Sequence, residues 1–340
     1  MSRPRRLVGV GVGLAMLGVW VWVTTRPGAG DLGRVFAWGA LCAAMLRFAT
    51  PLVFGALGGL FSERSGVINV GLEGMMLMGA FFAAYGADIT GSWVGGILIG
   101  VLAGFALGAV HALFAVTLRG EQIVSGIALN FLALGLTGYL YVAVYGPQGT
   151  PDNLPQVPSV HLPLDKSSFL GEAFGQLDLL VWGALVAVAA VWFVIFKTRS
   201  GLRLRSVGEN PTAAETVGIG VIRTRWAAVV ASGGLAAAGG AFLSIGFVHS
   251  FTPNMIAGRG FIALATLIAG RWKPLPTLVI ALLFGLSSAL ALRLPVLSPS
   301  AATLFQMLPY VVTLIVVAGV VGRSIPPAAI GIPFSRESGR

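Results

Sequence analysis

Four groups that an apolar medium rejects fall close together in the stretch FSERSGVINVGLEGMMLMGAFF, residues 61–82: Glu63, Arg64, Asn69 and Glu73. Ionisable side chains inside apolar runs are tolerated where they face a protein-lined cavity, relay protons, pair with one another or satisfy irregular backbone. Other groups able to do chemistry are sparse. The three histidines, His111, His161 and His249, are dispersed, and the chain contains no HExxH or GxSxG arrangement. Neither a metal centre nor a nucleophile–base pair is therefore spelled out, which argues against an intramembrane enzyme. A proton- or sodium-driven carrier would use several intramembrane carboxylates, and Glu73 is the only deep one. No GxxxxGK[ST] phosphate loop occurs, so the chain is not expected to hydrolyse ATP by itself.

The elements that hold these residues follow from composition. Of 340 residues, 56% are hydrophobic and only 10% charged, whereas soluble domains carry roughly a quarter charged residues. A membrane-crossing helix needs about 20 apolar residues, and such runs recur from end to end. The fold class is an all-α, polytopic membrane protein with about ten spans. They are predicted near 7–24, 44–61, 67–87, 93–117, 122–145, 178–196, 226–248, 258–271, 276–292 and 304–322. The amino end, MSRPRR before an apolar run, has a signal-peptide flavour. Trp20, Trp22 and the absence of a small-residue cleavage site favour an uncleaved first helix.

With the amino terminus inside and the spans alternating, Arg119, 197–225, Arg271, Lys273, Arg323, Arg336 and Arg340 fall on the cytoplasmic side. The outside receives Asp88, Asp152, Asp165, Glu172 and Asp178 with fewer cations, the bias the positive-inside rule demands. Both termini are then cytoplasmic. The net charge of +10 is spread over loops beside spans, and no basic and aromatic surface stretch speaks for nucleic acid. Lone Cys42 lies in an apolar run, so there is no disulfide framework and the redox compartment is not legible. Two soluble segments stand out, a Pro-rich outer one at 146–177 and a basic inner one at 197–225.

Gly96, Gly100, Gly104 and Gly108 recur every fourth residue and form one bare ridge, suited to backbone-to-backbone packing or to a sliding surface; static packing is the plainer expectation. GGLAAAGG, at 233–240, repeats the theme. Aligning GLEGMMLMGAFFAAYG from Gly71 with GRGFIALATLIAGRW from Gly258 sets Glu73 opposite Arg259, each followed by glycine and an apolar helix. On the topology above this is an inverted repeat, which in transporters places broken helices near the bilayer midplane. SERSG is then a break, a second helix begins near Val67, and Glu73 and Arg259 are expected to approach and offset each other's charge. Glu63 and Arg64 either share that cavity or sit solvated in a cytoplasmic turn. Asn69 and Glu73 lie deeper, with a structural hydrogen bond as the alternative to a pathway role.

SVGENPTAAETVGI, at 206–219, is the most specific stretch. Gly208 supplies flexibility, Asn210 or Glu209 can cap, Pro211 opens a helix, Ala213 and Ala214 give it a low-bulk face, and Gly218 ends it. Such a helix, ringed by arginines, suits docking into another protein.

GENPTAAETVGI resembles the cytoplasmic coupling segment of permease subunits of bacterial ABC importers, in the branch serving simple sugars, branched-chain amino acids and nucleosides. ATPLVFGALGGLFSERSGVINVGLEGMMLMGAF is similar to the signature of the nucleoside-type permeases, and RGEQIVSGIALNFLALGLTGYL and GRGFIALATLIAG continue the likeness over roughly 44–322. The resemblance implies a permease domain at 44–322, flanked by 1–43 and a cytoplasmic tail at 323–340, in a bacterial cell membrane. It implies a subunit without catalysis or cofactor of its own. Its partners would be cytoplasmic ATPases that bind ATP and Mg, a second related permease and an extracytoplasmic lipoprotein that delivers nucleoside. Carried over by position, Gly208, Glu209, Asn210, Pro211, Ala213, Ala214 and Gly218 form the ATPase-coupling segment. Asn69, Glu73, Asn130 and Arg259 are expected in the translocation pathway for their depth and polarity, with Phe81, Phe82 and Phe131 as possible stacking partners. Sugars and branched-chain amino acids are the alternative substrates.

Overall fold

The computed structural model describes residues 37–146, 149–150, 154–165, 168–297, 302–316 and 324–335. The predicted span 7–24 and the end of the span 304–322 lie outside the described residues.

Eleven-residue and longer helices carry the architecture. They are α1 (Trp38–Arg64), α2 (Leu72–Thr90), α3 (Trp93–Ala112, continued by a widened π-type turn, Leu113–Thr117) and α4 (Gln122–Tyr145). After a two-stranded ribbon, β1 (Ser159–His161) with β2 (Gln176–Asp178), and the short α5 between them (Phe169–Phe174), comes α6 (Leu179–Lys197). Two loop helices follow, α7 (Arg199–Glu209) and α8 (Pro211–Thr216). Then come α9 (Val221–Ala241, with a π-type extension Phe242–Val248), α10 (Arg259–Ala269), α11 (Pro274–Arg293), α12 (Ala302–Gln306) and α13 (Leu308–Ile315). Among the described residues six helices are long and apolar enough to cross a membrane: α1, α3, α4, α6, α9 and α11. The chain is a multi-pass membrane protein.

Two predicted spans are corrected. The run 258–271 contains a helix of only 11 residues, about 16 Å at 1.5 Å per residue, too short for a hydrocarbon core of about 30 Å. The run 67–87 begins its helix at Leu72, five residues later than expected, because Val67–Gly71 is irregular backbone. In 67–87 apolarity is continuous through the break, so hydropathy alone joins what the backbone separates; in 258–271 the run is apolar but short.

The chain divides into two compact units. One comprises Met1–Phe48, His161–Gln176 and Leu282–Arg323; within it Arg47 donates to the Gln176 carbonyl at 2.7 Å. The other comprises Ala49–Val160, Leu177–Ala281 and Ser324–Arg340 and contains all of the residues discussed below. Its centre is α2, α3 and α9, packed pairwise, with Met75, Met76, Phe81, Leu107 and Ile245 buried among them. The Pro-rich segment 146–177 is not wholly solvated. Leu154 and Val157 join this core, and the Val157 N–H donates to the Ile245 carbonyl at 3.1 Å.

Glycine sets how closely the three helices approach. A Cβ at Gly96 would lie 2.7 Å from the Ala83 carbonyl oxygen, and one at Gly100 2.8 Å from that of Gly79, both on α2. The same ridge then crosses to α9, where Gly104 meets Gly233 and Gly108 would place a Cβ 3.0 Å from the Val229 oxygen. Gly240, from GGLAAAGG, lies against the Met76 carbonyl. The ridge is thus divided between two neighbours, each in backbone contact.

A methyl at one of these contacts overpacks the bundle. Gly240→Ala should destabilise by about 1–3 kcal/mol or more. Gly138→Ala, on α4 with nothing within 4 Å, should be neutral or stabilise by up to about 1 kcal/mol through helix propensity. Thermal unfolding in detergent, compared between the two variants, checks the opposite signs.

Candidate functional site

Between α1 and α2 the chain runs as irregular backbone through apolar protein, which requires a partner for each polar group that water cannot reach. Gly66 takes φ +92 and turns the chain out of the helix. The Ser65 carbonyl then accepts from Arg225 Nε at 3.2 Å. Ser62 Oγ donates to the Val67 carbonyl at 2.8 Å. The Ile68 N–H donates to Gln122 Oε1 at 2.8 Å, and the Ile68 carbonyl accepts from His111 Nε2 at 3.0 Å. The imidazole therefore carries its hydrogen on Nε2, leaving Nδ1 to accept from Ser125 Oγ at 3.1 Å.

Asn69 is wholly buried. Its Oδ1 accepts from the Gly71 N–H at 3.0 Å, and its Nδ2 donates to Ser232 Oγ at 2.9 Å and lies 3.3 Å from Met75 Sδ. The break is thereby tied to α9. Asn130, on α4, accepts from the Gly74 N–H at 2.8 Å and donates to the Val70 carbonyl at 3.1 Å. It caps the first turn of α2 from outside.

Glu73 does the same for a different helix. Its Oε1 accepts from the Gly258 N–H at 2.7 Å and its Oε2 from the Gly260 N–H at 2.6 Å. These are amides at the start of α10, whose own N-cap residue is glycine at φ +87 and makes no side-chain cap. An anion at a helix N-terminus satisfies orphan donors and faces the positive end of the helix dipole. The approach is close because Gly260 has no side chain: a Cβ there would lie 2.5 Å from Glu73 Cα. The expected Glu73–Arg259 meeting is thus made between the Glu73 carboxylate and the backbone on either side of Arg259. The Arg259 guanidinium turns back to the Met255 and Ile256 carbonyls, 2.9 Å from each, and acts on the carboxylate by longer-range attraction.

The far end of α10 is held too. Glu63, 3% exposed, accepts from Trp272 Nε1 at 2.5 Å, and Arg64 donates to the Trp272 carbonyl through Nε at 3.0 Å and Nη2 at 2.8 Å. This excludes the solvated turn as the setting of Glu63. SERSGVINVGLEG therefore grips α10 at both ends.

The segment 206–219 folds as its sequence directs. Asn210 Oδ1 accepts from the Ala213 N–H at 2.9 Å, Pro211 occupies the first turn of α8, and Gly218 follows at φ +83. Thr212, Ala213, Thr216, Val217 and Gly218 are exposed, Val217 at 74%. Ala214 faces the other way, into a small cluster with Val207, Val221 and Phe334. Gly208 is buried, and flexibility is not its role: a Cβ there would strike the Arg64 carbonyl. The segment thus rests directly on the end of α1, and Glu209 reaches Arg64 at 4.0 Å.

Several residues that hold this arrangement give little sign of it in the sequence. Trp272 has the look of an interfacial aromatic, and Gln122 and Ser232 that of ordinary helix residues. Arg225, 1% exposed, reads from the sequence as one more loop cation. The stretch 324–335 passes for a solvated tail but packs on the loop and the break; the Ala329 N–H donates to the Gly208 carbonyl at 2.9 Å and the Gly331 N–H to the Gly66 carbonyl at 3.0 Å. Among the described residues no group of three or more His, Cys, Asp or Glu could hold a metal ion.

A buried, mechanically linked site on a bundle of apolar helices is the form of a membrane permease, and comparison with known proteins places it more closely. Residues 41–317 match the family described as branched-chain amino acid transport system / permease component. The chain belongs to that family. It is 42% identical to the nucleoside ABC transporter permease protein NupC of Lactococcus lactis subsp. cremoris, over 87% of this chain and 97% of the relative. It is 37% identical to the guanosine ABC transporter permease protein NupQ of Bacillus subtilis, over 86% of this chain and 95% of the relative. Against the putative glucose ABC transporter permease protein TsgC13 of Haloferax volcanii the identity is 42%, over 76% and 78%. The same two bacteria each supply a second, more distant match at 27% identity, NupB and NupP, also named as nucleoside or guanosine permeases.

Glu73→Gln keeps one acceptor oxygen but sets an amide NH₂ against a backbone N–H. Losing a charge-assisted bond and facing two donors should cost about 2–3 kcal/mol. A clear fall in the thermal midpoint of the purified protein is expected, and an unchanged midpoint would remove the capping role.

Proposed function

We propose that the chain is a transmembrane permease subunit of an ATP-driven ABC importer and forms part of the translocation pathway for nucleosides. One observation carries the proposal: α8 offers an exposed face of small and apolar groups, while its underside packs on Val207, Val221 and Phe334 and its lead-in, Gly208, abuts the end of α1 at Arg64–Gly66. A protein seated on that face would act on the irregular backbone through α7 and Gly208. The relatives named for nucleosides or guanosine, which align over nearly their whole lengths, support the substrate.

In this scheme the chain has no catalytic chemistry of its own. Cytoplasmic ATPase subunits bind ATP and Mg, and their closure moves Glu209, Asn210, Pro211, Ala213 and Gly218 as a contact surface, with Gly208 and Ala214 as its inner mounting. A second, related permease completes the pathway, in keeping with the two permeases matched in each of two bacteria. An extracytoplasmic lipoprotein delivers the substrate. The permease domain is 44–322, with 1–43 ahead of it and the tail 323–340 behind, in a bacterial cytoplasmic membrane with both termini inside. The pathway passes the meeting point of α2 and α10, where Glu73, Asn130 and Arg259 supply polar groups and Asn69 holds the break in shape. A nucleoside offers hydroxyls and a π-face, which such a mixed wall can hold weakly enough to release.

Transport of simple sugars is the second proposal, favoured by the 42% identity to a putative glucose permease. Uptake by the complete transporter in vesicles, with guanosine and glucose in competition, separates the two; saturable guanosine uptake unaffected by glucose is expected. For the coupling surface, Ala213→Trp sets a bulky ring on the exposed face of α8. The permease should then no longer co-purify with its ATPase subunits, while its own thermal stability is kept. Retention of the ATPases would overturn the docking role of α8.

A further inference from the structure

The loop that carries α8 meets the bundle closely at one end, where Gly208 abuts the Arg64 carbonyl, and through the exposed Gly218, at φ +83, and Gly220 at the other, a joint that absorbs a push. What braces the loop lies elsewhere in the chain, beyond the last spans. Residues 324–335 run along the foot of the bundle and touch, in order, each part that would have to move together. Ser324 Oγ donates to the Ile268 carbonyl near the end of α10 at 3.2 Å. The Ala328 N–H donates to Glu209 Oε2 at 3.2 Å, and that of Ala329 to the Gly208 carbonyl at 2.9 Å. The Gly331 N–H, on a residue at φ +75, donates to the Gly66 carbonyl in the break at 3.0 Å. The Ile332 carbonyl accepts from Arg225 Nη1 at 2.9 Å, while the same guanidinium holds the Ser65 carbonyl through Nε. Phe334 then inserts beneath α8, against Val207, Ala214 and Val221.

We infer that residues 324–335 are a transmission strap, which makes the α7–α8 segment, the 64–66 break and the end of α10 one mechanical body. The inference rests on α8 being the ATPase contact. Three features support it beyond simple packing. Two of the strap's bonds, to the Gly208 and Gly66 carbonyls, join backbone to backbone in the loop and in the break, so they fix main-chain position regardless of side-chain identity. They brace from the other side the two segments that Gly208 and Glu209 already bring together at Arg64. And Arg225 binds strap and break with one rigid planar group, whose fork geometry holds two carbonyls in register. A displacement of α8 is thus handed to Gly66 and, through the break, to Glu73 and the start of α10. Without the strap the contact of Gly208 and Glu209 with Arg64 alone would have to carry a displacement of α8 into the bundle.

The experiment uses the complete transporter in vesicles, with ATP hydrolysis and nucleoside uptake measured on the same sample. Chains ending at Arg323 should assemble with their ATPases and hydrolyse ATP, yet import about tenfold less nucleoside per ATP, a magnitude typical of lost coupling. Phe334→Ala should give the same sign with a smaller effect, and it is the deciding variant if the shortened chain does not assemble. Arg225→Lys, which keeps the charge but loses the fork, should fall between wild type and truncation. An unchanged ratio of uptake to hydrolysis would overturn the strap, as would a proportional loss of both activities, which is what mere structural damage gives. If Ala213→Trp leaves the ATPases bound, the docking role of α8 has failed instead, and the two failures are told apart.

Discussion

Two amide groups, of Gly258 and Gly260, end on the two oxygens of one carboxylate, and the rest of the larger unit depends on that contact. Helices that start inside a membrane protein expose donors that no lipid can satisfy. At α2 the need is met by Asn130 and Asn69, at α10 by Glu73. Because Glu73 belongs to the first turn of α2, it cannot serve α10 unless the two helix starts adjoin. The requirement to satisfy backbone therefore fixes where the broken helices meet, and only glycine at position 260 lets them come so near.

From that point the geometry propagates outward. Helix α10 is held at its start by Glu73 and just past its end by Glu63 and Arg64, so its position follows the segment 63–73 at both ends. That segment is in turn tied to α9 through Asn69 and Ser232, to α3 and α4 through His111, Gln122 and Asn130, and to the α7–α8 loop through Gly208. Behind it the glycine contacts of α2, α3 and α9 leave little room for independent shifts. The positions of these segments are set by polar contacts more than by apolar packing, because hydrogen bonds to backbone are directional and apolar contacts are not.

Much of this was legible from residue types. Composition and hydropathy gave the helical membrane class, and the spacing of Gly96 to Gly108 gave the packing ridge. Asn210, Pro211 and Gly218 spelled the short helix with its cap, since capping is local chemistry between near neighbours. The alignment of Glu73 with Arg259 pointed to the right pair of segments, although the partner proved to be backbone. What stayed hidden was long-range. Trp272 lies 209 residues from Glu63, and Ala329 lies more than a hundred from Gly208, so no local pattern joins them. The late start of α2 was masked because Val67, Ile68 and Val70 are as apolar as helix would be, while their backbone is satisfied by side chains remote in sequence. Arg225 escaped notice because its neighbours Arg223 and Thr224 read as loop.

Amide hydrogen exchange read by mass spectrometry over residues 254–262, in wild type and in Glu73→Ala, tests the central contact most directly. In the wild type the Gly258 and Gly260 amides should exchange as slowly as the interior of α2. In the variant that protection should collapse there and in 65–74, with the Gly96–Gly108 ridge unaffected. Fast exchange of both amides in the wild type, or protection untouched by the loss of Glu73, would contradict the account.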